Sequence, residues 1–408
     1  MERQHLSSYA CRVSYHRSNF TEDESTAAVF IPYIYLAYIY FVLSLIVPLP
    51  YRRSIRIAVA LATFLVCQHH LIQKWVFGTM FSPEIARVFV ILLGWLYCTF
   101  FLLLIITLLV DICRLLAWLI RRRRAIDKTL MTRARHVMIV FSALLAGIGV
   151  SQAIAVPEVR RVALAVDDLP RDLEGFKLVQ LTDLHTSRLM NAAWISQVVA
   201  RTNALQADAI VITGDLIDGT PQARHDDIAP LGKLQARHGV IASLGNHEYY
   251  FGAERWTKEF ERLGMRVLAN RHTVIQHGAG RLTIAAVTDP VAPRFGMQGP
   301  DTARALQGAT AGAPVVLLSH QPVRVADNAQ LGIDLQLSGH THGGMIRGID
   351  KVVEIANGGF VSGLYRVGGM QLYVSNGTGL WNGFPIRLGV PAEITEFTLT
   401  KASKPTSN

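Results

Sequence analysis

A chain of 408 residues is too long for one typical domain and implies two or three units. Half of it is hydrophobic and only 17% is charged, a balance that points to membrane segments. The formal charge of +10 would suit a nucleic-acid partner, but residues 1–156 carry 16 Lys/Arg against 7 Asp/Glu while residues 157–408 carry 24 against 23. The excess therefore belongs to the apolar half, where it reads as membrane topology, and nucleic acid is excluded as a partner.

In chain order, residues 1–28 read as an N-terminal tail and residues 29–156 as a membrane region of about four transmembrane helices. Val29 to Leu49 is an uncharged run of spanning length, followed at once by Arg52, Arg53 and Arg56. Ile57 to Cys67 is apolar but short, and Gln68, His69, His70 and Gln73 dilute its continuation. His69 and His70 read as an interfacial feature, not a metal site. Val88 to Val110 has no charge and leads into Arg121 to Arg124, Lys128, Arg133 and Arg135. Val137 to Val156 completes the set.

The positive-inside rule decides the ambiguous second span. If it crosses, both basic clusters fall on the cytoplasmic face; if it does not, they fall on opposite faces. Four crossings put the N-terminus and everything after Pro157 outside the cytoplasm, on an inner (cell) membrane. Arg121 to Val156 also has the layout of a secretory signal, basic then apolar then small residues, and leads to the same side. All four cysteines lie in this first half, so neither a disulfide framework nor a thiolate zinc site is available in the second.

From Pro157 short apolar runs of strand length alternate with helical patterns, as an α/β layered fold over 157–402 requires, with 403–408 a tail. Strands are predicted at Phe176–Leu181, Ala209–Thr213, Val240–Leu244, Leu282–Val287, Pro314–Ser319 and Ile333–Leu337. Helices are predicted at Ala192–Ala204 and Glu254–Leu263. Five of these strands stop just before a metal-competent residue: Asp183, Asp215, Asn246, His320 and His340. Placed in one sheet, their polar ends would gather along a single edge. Any one of them alone would be a turn former or a solvated histidine. Five coincident ends are not.

The candidate ligands are Asp183, His185, Asp215, Asn246, His320, His340 and His342. His340 and His342 sit two apart between glycines, on one face of extended backbone. Carboxylate, imidazole and amide donors without sulfur suit manganese, iron or zinc. Seven donors exceed what one tetrahedral zinc needs and match two divalent cations.

The ordered blocks DLH (Asp183 to His185), GDLID (Gly214 to Asp218), GNHE (Gly245 to Glu248), SH (Ser319, His320) and GHTH (Gly339 to His342) carry a family resemblance. Together they resemble the calcineurin-like metallophosphoesterases, over about 160 residues. With its membrane half the chain is similar to a bacterial membrane-anchored branch that includes relatives acting on phosphodiesters and on the pyrophosphate of UDP-diacylglucosamine. The resemblance implies a four-layer α-β-β-α sandwich. It implies one metal held by Asp183, His185, Asp215 and His342, with Asp215 bridging to a second held by Asn246, His320 and His340. His247 would serve the leaving oxygen and Asp218 would orient it; Glu248 would support the turn.

Met345, Thr186 and Ser187 depart from the usual family residues at their positions and bear on substrate preference. Tyr373 to Pro385, rich in Gly and Trp, reads equally as a loop at the mouth of the site or as a packed turn. The implied function is a phosphodiesterase or pyrophosphohydrolase working by in-line attack of a metal-bridging hydroxide. Its substrate would be a phosphoester near the lipid bilayer, lipid-linked or from the envelope. The competing reading is a catalytically silent membrane receptor or scaffold on the same fold.

Overall fold

The computed structural model describes residues 24–121 and 127–402. Most of the predicted N-terminal tail, Arg122 to Arg124 and the C-terminal tail lie outside the described residues. Five helices form the first half: α1 (Glu24–Phe41), α2 (Arg53–Cys67), α3 (His69–Phe77), α4 (Arg87–Arg121) and α5 (Lys128–Ala153). Among the described residues, α4 and α5 are long and apolar enough to cross a membrane. A shorter apolar stretch, Tyr33–Ile46, runs from α1 through one π turn.

The second predicted span is a bent pair. α2 and α3 meet at 56°, and the break falls at Gln68, where the run turns polar. His69 and His70 are tied down there: their rings pack on Tyr97, and His70 Nε2 lies 2.8 Å from the carbonyl oxygen of Gly383. Neither belongs to a metal-competent group among the described residues.

The second half is a sandwich of two six-stranded sheets. The first sheet has the order β1 (Glu158–Val166), β12 (Glu393–Lys401), β2 (Lys177–Leu181), β3 (Ala209–Thr213), β4 (Val240–Ser243) and β5 (Met265–Val267). The second has the order β10 (Gly363–Val367), β11 (Met370–Val374), β9 (Leu335–Ser338), β8 (Val315–Leu318), β7 (Gly280–Ala286) and β6 (Arg271–His277). β2, β3, β4 and β5 are parallel neighbours, as are β7, β8 and β9. The central strands β3, β4, β8 and β9 are buried along their whole length, which is why they read as mainly apolar runs; in β9 the buried Gln336 donates to Ser338 Oγ at 3.3 Å.

The core between the sheets is built from Leu178, Val211, Ile241 and Phe397 on one side and Ile284, Val316, Leu337 and Tyr373 on the other. Burying each such side chain stabilises the fold by about 1.5–3 kcal/mol. Helices cover the outer faces. α6 (Ala192–Asn203), capped by Asn191, presents Trp194, Ile195, Val198 and Val199 to the first sheet. α7 (Ala253–Arg262) adds Trp256 and Phe260, four apart on one face. This is the predicted four-layer arrangement.

The single-edge expectation needs one correction. β2, β3 and β4 lie in the first sheet and β8 and β9 in the second. Their C-terminal ends still meet across the shared core, where His320 beyond β8 lies 2.7 Å from the Thr213 carbonyl oxygen at the end of β3.

Candidate metal centre

The ligands stand at strand ends in an unusual backbone state. Asp183, His185, Asp215, His340 and His342 all have positive φ, between 44° and 69°. Each costs about 1–2 kcal/mol for a residue with a Cβ. Such strain persists only where surrounding structure enforces it, and here it turns the side chains off their strands into one space. Two glycines let the strand ends close up. A Cβ on Gly245 would stand 2.2 Å from Asp215 Oδ1, and one on Gly339 would stand 2.2 Å from Asp183 Oδ2.

All nine predicted site residues converge. His185 Nε2 lies 3.3 Å from His342 Nε2 and 4.0 Å from Asp183 Oδ1, and His342 Nε2 lies 3.7 Å from the same oxygen. A second group forms around Asp215 Oδ2, with His320 Nε2 at 3.2 Å and His340 joining it. Asn246 Oδ1 is 3.2 Å from His320 Nε2. Asp215 joins the groups, since its Oδ2 is also 3.8 Å from His185 Nε2.

Protons on these rings are fixed by their outer partners. His320 Nδ1 is 2.7 Å from the carbonyl oxygen of Thr213, which can only accept, so Nδ1 carries the hydrogen. Its Nε2 lone pair then faces two oxygen acceptors. His185 Nδ1 donates to Asp218 Oδ1 at 3.1 Å, which leaves its Nε2 lone pair facing another imidazole nitrogen. Buried acceptors that face one another without a donor call for a cation between them. The donor set therefore fits two divalent ions, one per group.

The same crowding shapes the electrostatics. Burial works against charge on Asp215, yet His320 and His247 outweigh it and hold its carboxyl well below the usual range. His320 lies well above the usual imidazole value: burial opposes its charge, and Asp215, Asp183 and Asp289 overcome it. His342 goes the other way, pushed well down by burial, His185 and Arg387.

His247 stands beside these groups, its Nε2 3.9 Å from Asp215 Oδ2 and its Nδ1 2.5 Å from Asp218 Oδ1. Glu248 accepts from the backbone N–H groups of Gly245, Asp215 and Leu216 at 2.7, 3.0 and 2.7 Å, so it braces the turn as predicted. Tyr250 receives a hydrogen bond from Asn246 Nδ2 at 3.3 Å, whereas Tyr249 is packed away.

Three features escaped the sequence reading. Asp289, buried just beyond β7, accepts from Gln321 Nε2 at 3.1 Å, and burial pushes its carboxyl up to about 6. The rule that found the ligands, a polar residue just past a strand, would have found it too. Arg387 is fully buried and donates to the carbonyls of His342, Asn376 and Gly379, bracing the loop that carries His342. Phe81, from the membrane half, packs on His247 with ring centroids 4.8 Å apart. No local pattern marks it.

Comparison with known proteins agrees with the geometry. Residues 176–344 match the calcineurin-like phosphoesterase family. An uncharacterized metallophosphoesterase of Campylobacter jejuni is 33% identical over 309 residues, covering 74% of this chain and 78% of the relative. The chain belongs to the calcineurin-like metallophosphoesterase family. A bovine relative, described as a transmembrane protein with metallophosphoesterase domain, is 34% identical over 305 residues and covers 71% of this chain and 68% of its own. Among solved structures, a dimetal phosphatase from Danio rerio aligns with 56% of this chain and all of its own at 14% identity and a TM-score of 0.37, too low to add to the assignment. The metallophosphoesterase fold and the apolar helices of spanning length thus occur in one chain.

Proposed function

We propose that this metallophosphoesterase is a membrane-anchored, dinuclear phosphoesterase that cleaves phosphodiester or pyrophosphate bonds of lipid-linked or envelope substrates. The observation that carries the reading is the pair of converging donor groups joined by Asp215, with His247 beside them. Asp183, His185, Asp215 and His342 would hold one ion, and Asp215, Asn246, His320 and His340 the other, with manganese, iron or zinc suited to such donors. Two such ions supply charge neutralisation for phosphoryl oxygens and an acidified water for in-line displacement.

The protein's own groups do the rest. Asp218 fixes both His185 and His247 with Nδ1 protonated, so His185 offers Nε2 to a cation and His247 offers Nε2 to the substrate. Asp215 and Asp218 outweigh burial and raise the His247 pKa above its ordinary value. An imidazolium placed there stabilises the leaving oxygen and can hand it a proton. A silent receptor would have no use for that histidine.

The proposed topology has four crossings and an extracytoplasmic catalytic domain. Tyr51 supports it: its hydroxyl lies 2.7 Å from His136 Nε2, so Arg52, Arg53 and Arg56 share an end of the bundle with Lys128, Arg133 and Arg135. A reporter fused after Asn408 tests this, and a cytoplasmic signal there refutes the orientation.

Purified full-length protein loaded with manganese should hydrolyse bis-p-nitrophenyl phosphate and hold two metal ions per chain. His247→Ala should lose most of the rate while keeping the metal. Equal activity in wild type and variant would refute the assigned mechanism. A metal-loaded wild type inert toward every phosphoester would favour the receptor reading.

A further inference from the structure

The loop between α3 and α4 belongs to the membrane half in sequence but to the catalytic half in space. Contacts from Ser82, Glu84 and Arg87 clamp it there. Glu84 pairs with Arg188 Nε at 2.9 Å and with the fully buried Arg224, which also holds Asp227 at 2.8 Å. Arg87 Nε donates to the carbonyl of Leu189 at 2.9 Å. Ser82 sits so close beneath Gly219 (φ 123°) that a Cβ there would stand 2.6 Å from the serine Oγ. The clamp fixes Phe81, which meets His247 edge-on, stacks on Tyr250 at 5.7 Å and 16°, and meets Trp381 at 5.8 Å.

From Phe81 an aromatic track leads away from the site and into the helices. Trp381 is 6.0 Å from His70, His70 is 4.8 Å from Tyr97, Tyr97 is 6.0 Å from Phe384, and Phe384 is 4.8 Å from Phe101. Phe101 lies midway along the uncharged Val88–Val110 run of α4. The loop that carries Trp381 and Phe384 is sunk between α4 and α5. A Cβ on Gly94 would stand 2.5 Å from Pro385, and one on Gly149 would stand 2.5 Å from Ile386. The catalytic domain is thus seated in the helices, and the wall beside His247 is aromatic, with His70 and Tyr97 its polar members, down to the uncharged stretch of α4.

We propose that Phe81 is a specificity-determining residue, supplied by the membrane half, that selects phosphoesters in which one ester group is an apolar chain. The proposal rests on the hydrolase reading for its reaction and on the aromatic track for its substrate class. A phosphoryl group at the metal ligands places an attached chain against Phe81, and the track carries that chain toward the lipid. A small polar ester gains nothing from the same wall.

The test uses full-length, manganese-loaded protein in nanodiscs, with methylphosphonate and octylphosphonate as competitive inhibitors of bis-p-nitrophenyl phosphate hydrolysis. Wild type should bind the octyl compound more tightly than the methyl compound. In Phe81→Ala the ratio of the two inhibition constants should fall about tenfold, since apolar surface facing the chain is lost. Phe81→Leu, which keeps an apolar side chain, should retain most of the preference, and metal content should match wild type in both. An unchanged ratio in Phe81→Ala, even with both constants raised together, would overturn the proposal and reduce Phe81 to a prop for His247. If metal-loaded wild type hydrolyses nothing, the hydrolase reading falls by itself. The same two phosphonates, titrated calorimetrically into wild type and Phe81→Ala, then decide the role of Phe81 by the same ratio.

Discussion

Asp218 and His185 form a hydrogen bond, Nδ1 to Oδ1 at 3.1 Å, through the same carboxylate oxygen that His247 Nδ1 meets at 2.5 Å. One buried oxygen thus sets the proton on a metal-ligand candidate and on the histidine proposed to serve the leaving oxygen. Burial opposes its charge, and the two imidazoles outweigh burial to hold its carboxyl below the ordinary range. Asp218→Asn keeps an acceptor oxygen for the two rings but removes the negative charge that holds them. Turnover should fall about 10–100-fold, the range found for outer partners of metal-bound imidazoles. Steady-state kinetics with parallel metal analysis check this; a rate within twofold of wild type would remove Asp218 from the mechanism.

Metal removal should make stability fall with rising pH, a decline that the loaded protein lacks. In the stripped protein the folded pKa values of His320 and His247 lie above 6.5, so their stabilisation is complete below 6.5 and is lost as pH rises through those raised values. His340, pushed down to about 3 by burial and His320, and His342, also lowered, have the opposite sign. Their contribution is present above 6.5 and is lost as pH falls toward their folded values. Below 6.5 that loss is opposed by Glu248 and Asp289, whose carboxyls burial pushes up to about 8 and about 6. Above 6.5 Glu248 has the same sign as His320 and His247, so chelated protein should lose melting temperature as pH rises from 6.5 to 9. Loaded protein should not decline above pH 6.5, because cations replace the protons. Melting curves with and without chelator between pH 5 and 9 measure both.

Gly245→Ala should abolish metal binding while leaving the sandwich folded. Its Cβ would sit 2.2 Å from Asp215 Oδ1 and 2.6 Å from the Asp215 backbone nitrogen, so the one carboxylate shared by both donor groups must move. Elemental analysis of the folded variant should find fewer than one ion per chain. Two ions bound as in wild type would show that Asp215 is not where both groups meet.

Arg224→Ala should be far more damaging than its distance from the metal ligands implies. The guanidinium is fully buried and pairs with both Glu84 and Asp227, so its loss leaves Asp227 with only the more distant Arg188 Nη1 at 3.9 Å and loosens the loop that carries Phe81. Breaking a buried pair from one side costs about 3–5 kcal/mol. Thermal unfolding in detergent measures that loss, and an unchanged midpoint would show that the clamp contributes nothing.

The sequence by itself determined the donor set and its place in the fold. Buried parallel strands must be continuously apolar, so Ala209 to Thr213 and Val240 to Ser243 announce themselves, and the polar residue after each marks the end where chemistry collects. Local pattern also located Glu248 as the brace of its turn. What it could not give is anything that depends on two distant segments meeting. That the ligand-bearing strands divide between two sheets, that Asp218 serves two histidines, and that Arg387 underpins His342 were decided only by packing across the core. The placement of Phe81 is the extreme case. Its neighbours in sequence belong to a broken apolar helix pair, and contacts with residues more than a hundred positions away, the buried Arg224 among them, bring it to His247. Hydrophobic periodicity reports what a segment must bury, whereas the identity of its partner is a property of the closed tertiary structure.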